Sequence, residues 1–200
     1  NMIPRFYDAT KGEVLVNGTN VKEYTEEGLR NKIGIVPQKA VLFKGTIRSN
    51  LLWGNESATE NDLMEALKQA QSYDFVMQKE NGIDSVVEQN GRNFSGGQRQ
   101  RLTIARALVR KPEILILDDS SSALDYTTDA NLRKEIAKLK DMTVFIVSQR
   151  TASIMDADQI VVLDDGNVMG IGTHKDLLEN CEVYKEIYKS QFKKPEKEGM

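Results

Sequence analysis

The stretch Ile114-Leu115-Ile116-Leu117-Asp118-Asp119 decides how this chain folds. Four branched apolar residues stand in a row, and two acids follow. Apolar runs of this length suit strands covered on both faces, as in a parallel sheet. Residues 33–36, 144–147 and 160–163 read the same way. Helical stretches separate the runs, which is the pattern of an α/β domain with crossover helices. Gly12-Glu13-Val14-Leu15-Val16-Asn17-Gly18 alternates and ends in Asn-Gly, so it predicts an antiparallel strand entering a turn. Between Gln38 and Gly96 the strand signal fades. Leu63, Ala66, Leu67 and Ala70 have helical spacing, and residues 72–79 form a second, weaker helical segment. This part predicts a helical subdomain inserted into the α/β core. Residues 1–7 read as the tail of a helix, with no capping residue and no initiating turn.

Two hundred residues suit one domain with a real core, and 40% hydrophobic with 28% charged residues is ordinary for a soluble fold. The net charge of −3 gives no electrostatic sign of a nucleic-acid binder. Cys181 is the sole cysteine, which excludes an internal disulfide and fits a reducing compartment. No apolar stretch is long enough to cross a bilayer, and no charged-then-apolar leader opens the chain. Action at a membrane would therefore need a membrane part from another segment or subunit.

Phe94-Ser95-Gly96-Gly97-Gln98-Arg99 opens a basic stretch with an apolar stripe at Leu102, Ala105, Leu108 and Val109, predicting a helix over 99–110. Ser95 suits its N-cap, and Gly96 and Gly97 let the backbone approach a ligand closely. A helix start with exposed N–H groups and a hydroxyl is an anion site. This segment is followed by Asp118-Asp119, then Ser122-Ala123-Leu124-Asp125, then Val144-Phe145-Ile146-Val147-Ser148-Gln149. In that order and spacing they resemble the signature motif, Walker B, D-loop and switch region of an ABC transporter ATPase domain. The resemblance runs from Asn1 to about Phe192.

The resemblance implies an α/β fold of the P-loop NTPase (RecA-like) kind. Its mainly parallel sheet would lie in residues 1–45 and 105–192. Residues 46–104 would be the helical subdomain carrying the signature motif, and the charged tail 193–200 is expected to be disordered. ATP and Mg²⁺ are the implied cofactors. Asp118 ends a strand where an acid has no packing role, so it is placed to hold Mg²⁺ through water. Val36-Pro37-Gln38 resembles the Q-loop, with Gln38 reaching both the metal's water shell and the helical subdomain. Ser95, Gly96, Gly97 and Gln98 would grip the γ-phosphate of ATP held by an opposite subunit, which Asp125 would face. Val87-Glu88-Gln89-Asn90-Gly91 resembles the exporter X-loop, although Gln89 stands where a charged residue is usual. Glu88 and the Gln38 loop would meet the coupling helices of a transmembrane domain, placing the parent at the cytoplasmic face of the cell membrane. Phe43, Trp53 and Phe75 read as packing residues.

Two positions depart from the family pattern. Asp119 stands where a glutamate orients or deprotonates the attacking water, and its carboxylate sits about 1.5 Å further back. A misplacement of about 1 Å costs on the order of 10²-fold in rate. Asp119 could instead cap the following turn, where Ser120-Ser121-Ser122 offer partners. Gln149 replaces a histidine that contacts the γ-phosphate, and glutamine cannot become cationic or shuttle a proton. His174, the sole histidine, lies in a loop well past that strand and reads as a surface or capping residue. Together these two positions suggest a site that binds rather than hydrolyses, as in one subunit of a heterodimeric exporter, with an intact signature lent head-to-tail to the partner.

The motif G-x-x-x-x-G-K-[ST] is missing, because no Gly-Lys pair occurs among the 200 residues. Backbone N–H groups and the lysine of that loop normally hold the β- and γ-phosphates. By resemblance, the chain begins inside the helix such a loop opens. The absent strand would flank residues 144–147 and 160–163, so the isolated chain is expected to be only marginally folded and inactive alone. Three functional readings remain open: the ATPase part of an exporter; a non-transport ABC ATPase; and a non-catalytic module that completes a partner's site. The X-loop and the Leu42-Phe43-Lys44-Gly45-Thr46-Ile47-Arg48 stretch favour the exporter.

Overall fold

A computed structural model describes residues 1–192; the tail expected to be disordered, 193–200, lies outside the described residues. The chain forms two compact units, Asn1–Val147 and a second beginning at Ser148.

In the first unit, Phe6 N–H donates to the Asn1 carbonyl at 2.9 Å and Arg5 N–H to the Met2 carbonyl at 3.1 Å. Arg5 sits at φ 55°. This is the bond pattern with which helices end, in keeping with the reading of residues 1–7. β1 (Leu15–Val16) and β2 (Thr19–Asn20) form a hairpin shorter than the alternation suggested. Asn17 and Gly18 supply its turn, both at positive φ (51° and 77°), as a type I′ hairpin requires. α1 (Glu26–Lys32) follows, capped by the Thr25 hydroxyl.

β3 (Ile33–Val36) enters the central sheet. Next come β4 (Gly45–Thr46), α2 (Ile47–Leu52), α3 (Glu60–Gln69) and α4 (Tyr73–Met77), then β5 (Val86–Val87), which pairs antiparallel with β4. The two helices expected between residues 61 and 79 are thus α3 and α4. Arg48 on α2 ties this region together through ion pairs to Glu60 and Asp84. α5 (Gly96–Val109) starts three residues before the predicted boundary, because Ser95 and Gln98 close a capping box around the glycines. β6 (Ile114–Asp118), α6 (Tyr126–Ile136) and β7 (Thr143–Val147) complete the unit.

The three central strands run parallel in the order β3-β6-β7. Val36 stands opposite Leu117, and Asp118 opposite Val147. All three C-terminal ends therefore emerge along one edge. A single apolar cluster joins the sheet (Val36, Leu115, Leu117) to α5 (Leu102, Ile104) and to the helical segment (Leu63, Leu67).

The second unit pairs β8 (Ile160–Asp164) with β9 (Asn167–Gly172), against which α7 (His174–Asn180) and α8 (Glu182–Phe192) pack. Ile160, Val162, Leu177 and Tyr184 are its core.

Two strand expectations need correction. The apolar runs at 144–147 and 160–163 predict cover on both faces, yet both strands alternate. Val144 and Ile146 pack inward while Phe145 and Val147 are exposed; Ile160 and Val162 are buried while Val161 and Leu163 are exposed. The reason is that neither strand has an element of its own unit over its second face, whereas β6 has apolar clusters on both.

Leu115 is fully buried at the centre of the ladder. Leu115→Ala is expected to lower the unfolding free energy by about 2–5 kcal/mol, read as a drop in urea midpoint. Val161→Thr on the exposed face should stay within about 0.5 kcal/mol.

Candidate functional site

Parallel strands leave their loops together at one end, and ligands of open α/β sheets bind there. β3 delivers Pro37-Gln38 to that end, and β6 delivers Asp118 and Asp119. The Asp118 side chain is exposed and has no hydrogen-bond or ion-pair partner among the described residues. Asp119 sits at φ 45°, a left-handed conformation that costs a non-glycine residue energy. It is held there from both sides. Its N–H donates to the Val147 carbonyl at 2.8 Å, and its carbonyl accepts from the Ser122 hydroxyl at 2.8 Å. The side chain is thereby released to face β3, where Gln38 Nε2 donates to Asp119 Oδ2 at 3.0 Å. The serine run does bond to Asp119, but through its main-chain carbonyl rather than through its carboxylate.

At the start of α5, Gln98 N–H donates to Ser95 Oγ at 3.2 Å, and Ser95 N–H donates to Gln98 Oε1 at 3.0 Å. Both side chains are engaged in the cap. The two glycines have different reasons to be glycine. A Cβ on Gly96 would meet nothing within 4 Å, whereas one on Gly97 would lie 3.2 Å from the Ala123 carbonyl. The open face of the helix start is thus at Gly96, while Gly97 lets the loop before α6 pack against α5.

Asp125 N-caps α6. Its carboxylate accepts from Thr128 N–H at 2.9 Å and from the Thr128 hydroxyl at 2.7 Å. These donors, the backbone one foremost, hold its carboxyl below the usual carboxylate range. Arg101 lies with its guanidinium 4.7 Å from the Phe75 ring, and burial lowers its pKa. Phe43 and Trp53 stack on each other at 4.8 Å, but as an exposed pair rather than as core; Trp53 is 66% exposed.

Glu88 stands in extended backbone after β5, and its N–H donates to Asn93 Oδ1 at 3.1 Å. Asn93 Nδ2 in turn donates to the Val86 carbonyl at 2.8 Å. Asn93 thus shapes the Glu88 loop, a role that nothing in its sequence context signalled. Gln149 falls in the second unit. Its side chain is exposed, and its carbonyl accepts from Gln191 Nε2 at 2.6 Å. His174 is not in a loop. It is the first residue of α7, with Nδ1 2.7 Å from the Tyr184 hydroxyl.

Gln38, Asp118 and Asp119 therefore meet at one edge of the ladder, and Ser95 to Gln98 form a capped helix start beside the loop leading to Asp125. One free carboxylate near an amide suits a hydrated Mg²⁺, which keeps most of its waters and takes few protein ligands. No group of three or more His, Cys, Asp or Glu residues suited to a metal ion occurs among the described residues.

The family model described as "ABC transporter" matches residues 1–122. The uncharacterized ABC transporter ATP-binding protein YfiB of Bacillus subtilis (strain 168) is 46% identical over 191 residues, which is 96% of this chain and 33% of that protein. A candidate multidrug export ATP-binding/permease protein of Staphylococcus aureus (strain NCTC 8325 / PS 47) is 42% identical over 192 residues, with the same shares. The solved structure of a bacterial Atm1-family ABC exporter with ATP bound superposes with a TM-score of 0.92 at 36% identity, over 96% of this chain and 34% of that one. The chain spans about a third of the length of these proteins.

The depressed pKa of Asp125 sets a pH dependence. Its folded value lies below its unfolded one, so its stabilisation is complete above the unfolded pKa and lost as pH falls through the folded one. Asp125→Asn should lower the urea midpoint at pH 7, and the gap from the unsubstituted chain should narrow as the solution is acidified below pH 4. A gap that is independent of pH would contradict the capping account.

Proposed function

Since this chain belongs to the ABC transporter family, we propose that it is the ATP-binding part of an exporter subunit, coupling ATP binding and hydrolysis to export across a membrane. The observation that carries this reading is the Gln38–Asp119 hydrogen bond beside the unpartnered Asp118 carboxylate, at the C-terminal edge of the parallel ladder. In this proposal Asp118 would hold Mg²⁺ through water, with Gln38 beside the same water shell. Mg²⁺ held there would neutralise charge on the phosphates of ATP and so ease cleavage of the phosphoanhydride. Asp119 faces the place of the attacking water, and its shorter side chain leaves the oxygen back from the position a glutamate would reach. Gln149, a glutamine where the family has histidine, would offer a phosphate one hydrogen bond and carry no proton.

The open N–H groups at Gly96, with the Ser95 cap behind them, would meet the γ-phosphate of ATP on a second ATPase subunit in a head-to-tail dimer. Asp125 marks the facing loop. Because Asp119 and Gln149 both weaken hydrolysis, the dimer is proposed to be a heterodimer in which this subunit carries the slow site. Glu88 and the Gln38 loop face the coupling helices of the transmembrane domain, at the cytoplasmic face of the membrane. No helix among the described residues is long and apolar enough to cross a membrane. Without a Gly-Lys pair to hold the phosphates, these 200 residues by themselves are proposed not to hydrolyse ATP. Acting alone, they could complete a partner's site through α5, a second reading that the open side of Gly96 favours.

In the full-length heterodimer, Asp119→Glu with Gln149→His should raise turnover at this site by on the order of 10²-fold, measured with the partner's own site disabled. Unchanged turnover would refute the slow-site reading.

A further inference from the structure

Gln100 lies on α5 and is only 1% exposed. In sequence it is one polar residue of the basic stretch after the signature motif. A buried side-chain amide costs free energy unless its polar atoms are hydrogen-bonded. Here Gln100 Nε2 donates to the Pro37 carbonyl at 3.4 Å, across 63 residues of sequence. That carbonyl belongs to the peptide unit leading into Gln38. Gln38 is itself exposed, and its own amide donates to Asp119 Oδ2 at 3.0 Å. Two amide side chains in series therefore connect the signature helix to Asp119: Gln100 to the Pro37 carbonyl, then Gln38 to the carboxylate.

Thr103, one turn further along α5, is equally buried, but its hydroxyl donates to the Arg99 carbonyl of its own helix at 2.9 Å. It is satisfied locally and ties α5 to nothing else. The contrast isolates what Gln100 does. Among the two buried polar side chains near the middle of this helix, one closes on its own backbone and the other spends its donor on the loop that carries Gln38.

We infer that Gln100 is a positioning residue for Gln38, holding the loop after β3 against the signature helix so that Gln38 meets Asp119 and the metal's water shell in a fixed orientation. The inference rests on the nucleotide role proposed above for Gln38. The start of α5, where the partner's nucleotide would bind, is thereby tied to the loop whose Gln38 meets the chain's own Asp119.

The test uses the full-length protein with Gln100→Met, which keeps the side chain's length and removes the donor. Without nucleotide, amide exchange in residues 36–40 should quicken by about three- to tenfold, the size expected for one lost hydrogen bond. The thermal midpoint and exchange elsewhere in α5 should be retained. Thr103→Val, the control on the same helix, should leave residues 36–40 unchanged. Mg²⁺-dependent ATP affinity should weaken in Gln100→Met, while metal-free ATP affinity holds. Unchanged exchange at 36–40, or uniformly faster exchange through α5 with a lower midpoint, would overturn the inference. A loosened loop with Mg²⁺-dependent affinity intact would sustain the tie and count against the nucleotide role of Gln38.

Discussion

A strand that runs parallel to both its neighbours cannot reach either through a hairpin, so every link must cross back over a face of the sheet. β6 is such a strand, pairing with β3 on one side and β7 on the other. This ladder puts the ends of strands far apart in sequence along one edge. Gln38 and Asp119 are 81 residues apart and share a hydrogen bond because of it. The ladder also gives the acids their environment. Leu115 and Leu117 are buried, and the chain must become polar as it leaves the sheet. Asp118 and Asp119 stand at that boundary, one carboxylate open to solvent and the other drawn to β3.

The second constraint is the shared core. Apolar side chains from the sheet, α5 and the inserted helices form one cluster. α5 lies at the centre of that arrangement, packed against β3, α2 and α3. Its N-terminus presents Gly96 to solvent, and its middle carries a buried amide that reaches the Gln38 loop. The start of α5 and the ends of the strands are thus joined through one apolar cluster and one buried amide.

Much of this was legible in the residues. The apolar run ending at Asp118 gave a strand, the Asn17-Gly18 pair gave a turn, and Ser95 gave a helix start, because each signal is local. Capping, turn chemistry and strand period depend on a few neighbouring residues. What escaped was set by partners that no periodicity or capping rule marks. The bond from Gln100 to Pro37 and that from Asn93 to Val86 leave no periodic trace in the sequence. The exposure of Phe145 and Val161 depends on which elements cover a strand, and an apolar run cannot announce that. The αL conformation of Asp119 is likewise imposed by Val147 and Ser122 rather than by the residue itself.

The central claim is that the carboxylate at the end of β6 serves a metal–nucleotide complex held at the strand ends. Pulsed electron paramagnetic resonance on the full-length protein, with Mn²⁺ in place of Mg²⁺ and ATP present, tests it most directly. The account predicts hyperfine coupling between the bound Mn²⁺ and nucleotide phosphorus, largely lost in Asp118→Asn under conditions where the variant remains folded. An undiminished coupling in that variant would contradict it.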